Sequence, residues 1–128
     1  MDRIIQQAGE RTPLVDFDFP NSKLLVEGES YPEDAAAFFG PLLEVLKIYL
    51  DHLGRDQVVF DIKLAYFNSS SAKALMNMFQ LLEKAAEKGS RVIINWLYQP
   101  DDDTMAEFGE DFSEDFQAAR FNLKPIKE

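Results

Sequence analysis

The chain has 128 residues, 46% of them hydrophobic and 12% aromatic, which fits one globular domain with a single core. The sequence contains no cysteine, which excludes disulfides and thiolate metal sites, and no apolar run approaches the roughly 20 residues that a membrane-spanning helix needs. The formal net charge of −10 repels nucleic-acid phosphates. Together these features lead us to expect a single cytoplasmic domain over residues 1–128 that binds neither nucleic acid nor membrane.

The N-terminal part of the chain predicts a β-hairpin. Leu14 to Phe19 alternates between apolar and acidic residues, which is the period-two pattern of a half-buried strand. Pro20 to Ser22 is typical of a turn. Leu24 to Val26 then predicts the returning strand, which we expect Gly28 to end.

A helix is predicted after the hairpin. Ser30 and Glu33 fit a capping box, in which the Ser30 hydroxyl accepts from the Glu33 amide, so we expect the helix to begin near Ser30. Apolar residues then recur every three or four positions up to Leu53, and Gly54 is expected to end the helix. Because an interior proline removes a backbone hydrogen bond, we expect a kink or a restart at Pro41.

The middle of the chain predicts a strand and a second helix. Gln57 to Leu64 alternates, with Asp61 and Lys63 on the opposite side from the apolar residues. The second helix is predicted from about Ser70 to Lys88, with Gly89 following its end. Its expected core stripe consists of Ala72, Leu75, Met76, Phe79, Leu82 and Ala86.

The C-terminal part predicts a strand, a helix and a short final strand. Arg91 to Leu97 is the strand, and Asp101 to Asp103 favour a helix start because carboxylates complement the exposed amides there. Phe121 to Ile126 alternates, and Pro125 would confine that last strand to a sheet edge. The residues expected on one face of the third helix are Met105, Phe108 and Phe112.

This order of elements predicts an α/β fold. Helices that connect successive strands favour parallel pairing, and right-handed crossovers place such helices on one side of the sheet. We therefore expect a STAS-like domain with a mixed sheet of four or five strands and helices packed mainly on one face. The side that carries Asp61 and Lys63 is expected to face water.

The sequence lacks the residue constellations that most enzymes need. His52 is the only histidine, and near a helix end we expect its ring to contact the last carbonyls. Asp101 to Asp103 lack the spacing of a calcium loop, and there is no glycine-rich phosphate loop or histidine pair for zinc. We therefore predict no cofactor, no metal site and no catalytic activity.

One hydroxyl cluster stands out, Asn68 to Ser71, where the central strand gives way to the second helix. Asn and Ser are favoured N-caps, so these residues fit a purely structural role. They also fit a phosphorylation switch, because helix amides and the helix dipole stabilise an added phosphate. Composition alone leaves both alternatives open.

The same junction resembles the phosphoacceptor region of STAS-type anti-sigma factor antagonists. Over most of its length the chain is similar to the SiaC family of bacterial regulatory phosphoproteins. The similarity lies in Gly28 to Glu33, in Leu64 to Phe79 (LAYFNSSSAKALMNMF), and in the acidic segment from Trp96 to Phe116.

The resemblance implies a partner-switching system. A kinase phosphorylates such a protein, a PP2C-type phosphatase restores it, and the unmodified form binds and activates a diguanylate cyclase. The family's acceptor position corresponds to Ser69, where a relative carries threonine, and Asn77 stands where that relative has an acid. Ser70 and Ser71 are alternative acceptors, although the first helical turn is expected to engage them.

We expect the partner to contact the start of the second helix, at Asn68, Ser70, Lys73 and Asn77, since these polar residues lie off the core stripe. Met78 and Leu81 are better suited to a second packing contact. Two other functions stay open: a small hydrolase or transferase that uses Ser69 as nucleophile, and a constitutive scaffold subunit in which the serines are only caps.

Overall fold

The computed structural model describes residues 1–127, which form six strands, three α-helices and one 3₁₀ turn at Phe19–Asn21. In chain order the elements are β1 (Ile4–Gln6), β2 (Leu14–Asp18), β3 (Lys23–Ser30), α1 (Ala35–Asp51), β4 (Gln57–Phe67), α2 (Ser69–Glu87), β5 (Arg91–Tyr98), α3 (Asp103–Ser113) and β6 (Arg120–Pro125). Within the described residues no helix is long and apolar enough to cross a bilayer.

The strands form one mixed sheet in the order β1-β2-β3-β4-β5-β6. The first three pair antiparallel, and β3 to β6 pair parallel with one helix in each connection. This confirms the predicted α/β class and the predicted edge position of the final strand. The sheet has six strands rather than four or five, because β1 adds at the other edge; three residues are too few to show a period in the sequence.

All three helices cover the same face of the sheet and enclose one core. Phe60, Ile62 and Trp96 are among its fully buried side chains. Gly109 lets α3 approach β5 closely, because a Cβ atom there would lie 2.6 Å from Trp96 Cδ1. The Trp96 indole N–H donates to the Met105 carbonyl at 2.9 Å, which ties α3 to the sheet.

The other sheet face has no helix over it and carries polar residues, as expected for Asp61 and Lys63. Asn95 donates to the Asp61 carboxylate at 2.8 Å, and Asn122 donates to the Asn95 amide oxygen at 3.1 Å. This ladder joins β4, β5 and β6, so buried amides on that face keep their hydrogen bonds.

The predicted start of the first helix was wrong. Ser30 is the last residue of β3, and α1 begins five residues beyond it at Ala35, with the Asp34 side chain accepting from the Ala37 amide at 3.0 Å. Gly28 does not end the strand either: it takes φ 115° at a register shift, and β3 continues to Ser30 because β4 supplies ladder partners. Tertiary pairing here overrides the local capping signal.

Of the kink or restart predicted at Pro41, the restart does not occur, since α1 runs without interruption from Ala35 to Asp51, and the kink stays a prediction. Pro41 cannot donate to the Ala37 carbonyl, but both residues are exposed, so water can satisfy that carbonyl. The helix ends three residues before Gly54.

The remaining boundaries differ only at their ends. β4 extends to Phe67, beyond the predicted Leu64, because β3 still pairs with it there. α2 occupies the predicted range within one residue, and its C-terminal Gly89 has φ 114°.

Candidate functional site

The candidate site lies at the edge of the sheet where the parallel strands end. β4 ends at Phe67 and α2 begins at Ser69, so only Asn68 separates the strand from the helix. The first amides of a helix point out of its N-terminus without partners in the helix. Ser69 is therefore the first helical residue at an end that favours anions.

Asn68 fixes the geometry of this junction. Its side-chain oxygen accepts from the Ser71 amide at 2.9 Å, and its carbonyl accepts from the Ala72 amide at the same distance. Its own amide donates to the Ser30 carbonyl at 3.0 Å, across to the end of β3. Asn68 is thus the N-cap of α2, so its side chain has a structural role whether or not a partner binds at this junction.

Ser71 is part of the core. Its hydroxyl donates to the Ser30 carbonyl at 3.0 Å and lies 2.8 Å from the Ser30 hydroxyl, with exposed fractions of 0% for Ser71 and 1% for Ser30. A kinase cannot reach an oxygen that is fully buried in this way. The structure therefore leaves Ser69 and Ser70, both exposed, as possible acceptors in the cluster.

The residues expected to contact a partner lie mostly on the outer side of α2. Ser70, Lys73 and Asn77 are all exposed, whereas Asn68 is only partly so. Lys73 stands four residues after Ser69, so it lies one turn further along the same helix. Their contact with a partner stays a prediction.

Two of the residues assigned to the helix cores are exposed. Met76 was expected in the core stripe of α2 but is 41% exposed, and Phe108 was expected on the buried face of α3 but is 39% exposed. Met78, by contrast, is fully buried, which confirms its use as a packing contact. An i, i+3/i+4 pattern locates a stripe but not its width, and these two side chains lie at its margin.

Tyr66 is a further exposed aromatic side chain beside the junction, and no sequence pattern singled it out. Its ring meets that of Tyr31 edge-on, with centroids 5.9 Å apart. The Tyr31 amide donates to the Arg11 carbonyl at 2.8 Å and its hydroxyl to the Glu10 carbonyl at 3.1 Å. The segment before β2 is thereby held against the same edge.

The only histidine of the chain, His52, does not lie near Ser69. His52 Nδ1 lies 2.8 Å from the Ile48 carbonyl, which confirms the expected contact at a helix end. His52 precedes β4 and Ser69 follows it, so the 11 residues of that strand separate them by about 35 Å at the usual rise per residue. Residues 1–127 contain no group of three or more acidic or histidine side chains placed to hold a metal ion.

A model of the SiaC family of regulatory phosphoproteins matches residues 6–126. The chain belongs to this family. An uncharacterized protein of Pseudomonas aeruginosa (strain UCBPP-PA14) is 34% identical over 106 residues, which are 83% of either chain.

Solved SiaC structures share the fold throughout. Apo-SiaC from Pseudomonas aeruginosa is 31% identical, with a TM-score of 0.88 over 97% of this chain and 99% of that one. SiaC from the same species, in complex with the diguanylate cyclase SiaD that it activates, is 30% identical, with a TM-score of 0.90 over 96% and 99%. The family prediction is therefore confirmed.

Proposed function

We propose that this SiaC family member is a regulator controlled by phosphorylation of Ser69. In its unmodified form it binds and activates a diguanylate cyclase, the enzyme class that makes cyclic di-GMP, and a kinase and a PP2C-type phosphatase interconvert the two forms. The proposal rests on the exposed hydroxyl of Ser69 at the first position of α2. The neighbouring N-cap, Asn68, bonds to the Ser71 amide and does not use the Ser69 hydroxyl. The SiaC–SiaD complex supports the choice of partner.

The fold is expected to tolerate phosphate on Ser69. Neither the cap nor the Ser30–Ser71 hydrogen bonds involve the Ser69 side chain. The added charge of about −1.5 to −2 falls at the helix end where amides and the dipole favour an anion. Modification therefore changes the surface and leaves the core unaltered.

A docked partner has no such compensation. Burying a phosphate dianion against it without a matching cation costs several kcal/mol, enough to lower the affinity by orders of magnitude. Lys73 of this chain lies one helical turn from Ser69, and its single positive charge can neutralise only part of the charge of the phosphate. Phosphorylation therefore separates the regulator from the cyclase.

We propose in addition that the chain has no turnover of its own and acts in the cytoplasm. The distance between His52 and Ser69 argues against a serine hydrolase, since a nucleophile needs a base within hydrogen-bond reach. The purified chain is expected to leave ester and phosphoester substrates unchanged. Activity that disappears in Ser69→Ala would support the hydrolase alternative.

The deciding experiment uses the diguanylate cyclase related to SiaD from the same organism. Ser69→Ala is expected to bind and activate it whether or not kinase and ATP are present, while Ser69→Asp impairs binding only in part, because one carboxylate carries less charge than phosphate. Ser70→Ala is the companion variant, because it removes the other exposed hydroxyl of the cluster. Its binding should still be lost on treatment with kinase and ATP, whatever the substitution does to the affinity of the unmodified form at this expected contact.

Phosphopeptide mapping completes the test. Phosphate on Ser69, with loss of cyclase binding, supports the proposal. Phosphate confined to another residue, or a phosphoform that binds as tightly as the unmodified chain, refutes it. If the chain is never phosphorylated and binds the cyclase constitutively, the alternative of a constitutive scaffold subunit is supported instead.

The surface around Lys73 is tested separately. Lys73→Glu is expected to weaken cyclase binding because it reverses an exposed charge one turn from Ser69. Unchanged affinity would show that the partner does not cover the outer side of α2.

A further inference from the structure

The face of the sheet that the helices leave open carries apolar as well as polar side chains. Five branched aliphatic residues of β2 to β5 point out of this face, because they alternate with the core residues along each strand. They are Leu14, Leu25, Val59, Ile93 and Leu97, and each is only partly buried. A second layer of protein over this face would remove more of their surface from water.

The charges of this open face differ from those of the chain as a whole. The full chain has 23 acidic residues and 13 lysines and arginines, whereas the outward-pointing strand residues carry the two signs in equal number. The acids are Asp16, Asp18, Glu27, Glu29 and Asp61, and the cations are Lys23, Lys63, Arg91, Arg120 and Lys124. The excess negative charge therefore belongs to the other surfaces, and two open faces would not repel each other as whole chains do.

The two signs lie on opposite sides of the sheet. The charged residues of β2 are the acids Asp16 and Asp18, and those of β6, at the far edge, are the cations Arg120 and Lys124. Arg3 compensates part of the β2 charge through its ion pair with Asp16 at 2.7 Å. Among the described residues, the cations of β6 have no such ion pair. One side of the open face is thus acidic and the other basic.

One row of residues across the strands has the same polarity. Glu27 of β3 lies beside Lys63 of β4, on either side of the middle of the six-stranded sheet. Leu14 of β2 continues the row next to Glu27. Leu97 of β5 continues it next to Lys63, because β4 and β5 stay in register up to the preceding residues. The row is therefore leucine, acid, base, leucine, which is complementary to itself when it is reversed.

We propose that the open sheet face is a homodimer interface, in which a second copy of this chain packs face to face about a two-fold axis parallel to the strands, between β3 and β4. This axis places β3 over β4 and β2 over β5 of the second copy, so Glu27 faces Lys63 and Leu14 faces Leu97, each twice. An axis across the strands would instead place each strand over its own copy and oppose acids to acids on β2.

The size of the face indicates a weak dimer. Six strands about 4.8 Å apart, over roughly 20 Å of strand length, cover about 500 Å² per copy. Two copies would bury about 1,000 Å², near the lower limit for a specific interface. At an ionic strength of about 0.15 M, charges more than about 8 Å apart are largely screened, so the net charge of −10 opposes this contact only weakly.

The dimer leaves the proposed phosphorylation site free. α2 and Ser69 belong to the helical layer on the opposite face of the sheet, so both copies present them outward. The inference is therefore independent of the proposed function, and the purified full chain alone is enough to test it.

Sedimentation over a range of concentrations, at about 0.15 M salt, measures the dimer. The mass of the wild type is expected to rise from the monomer value of 14.6 kDa toward twice that value. Glu27→Lys and Lys63→Glu should each weaken dimerisation by roughly tenfold or more, because each opposes like charges twice across the axis. Lys88→Glu is the matched control, with the same charge change at an exposed residue at the end of α2, and should dimerise as the wild type does.

Mixing the two variants tests the axis. Glu27→Lys carries cations at both positions and Lys63→Glu carries acids at both, so a mixed dimer has two attractive pairs where each homodimer has none. An equimolar mixture is expected to regain the association that each variant alone has lost, with circular dichroism confirming that both remain folded. A wild type that stays monomeric at about 1 mM, or folded variants that dimerise like it, would refute the interface. A mixture that stays monomeric would refute the proposed axis.

Discussion

Ser30 and Ser71, the buried pair beside the proposed phosphorylation site, should respond unequally to alanine substitution. Ser71 donates to the Ser30 carbonyl, and the Ser30 hydroxyl has the Ser71 hydroxyl as its hydrogen-bond partner. Ser71→Ala therefore leaves a buried hydroxyl on Ser30 without a partner. Ser30→Ala leaves the Ser71 hydroxyl still bonded to a carbonyl.

The magnitudes follow from that difference. A typical hydrogen bond contributes about 1 kcal/mol net, and a buried donor left without a partner costs about 1–3 kcal/mol more. We expect Ser71→Ala to lower the free energy of unfolding by about 2–3 kcal/mol and Ser30→Ala by about 1 kcal/mol. The double variant should lose only about 1–2 kcal/mol, because it contains no orphaned hydroxyl.

Urea unfolding measures these differences. With a slope of about 1–3 kcal/mol per molar urea, Ser71→Ala should shift the midpoint downward by roughly 1 M or more. Adding Ser30→Ala to it should move the midpoint back up. Equal costs for the two single variants, or a double variant that loses their sum, would refute the assignment of donors in this pair.

Three further substitutions test the scaffold. Gly109→Ala should lower the free energy of unfolding by about 1–3 kcal/mol, since its Cβ would press on Trp96; unchanged thermal stability would contradict that close approach. Asn68→Ala should cost about 1 kcal/mol through the lost cap, whereas Asn68→Asp should retain most of it. Burial raises the pKa of Glu83, but hydrogen bonds from the amides of residues 117–119 outweigh burial and lower the pKa overall. These hydrogen bonds should stabilise the fold fully above the ordinary glutamate pKa, and this stabilisation should be lost as the pH falls through the lowered pKa of Glu83. Glu83→Gln should lack this pH dependence of the free energy of unfolding.

Much of the candidate site could be predicted from the sequence. Asn and Ser between an alternating strand and a 3.6-period helix identified the junction, and Asp102 caps α3 as the acidic run indicated. The absence of cysteine and the single histidine by themselves limit the chemistry that the chain can perform. These features depend on residues close together in the sequence, so local sequence patterns are enough to predict them.

Tertiary structure decided which of these residues are accessible. Ser30 and Ser71 are both small hydroxyl residues with good capping statistics, and only the pairing of β3 with β4 brings them together and buries them. Met76 and Met78 are equally apolar, yet Met76 is exposed and Met78 is buried in the core. Exposure depends on how segments distant in sequence pack together. Local patterns therefore predicted most of the elements, while packing determined several of their ends and the surface that a partner meets.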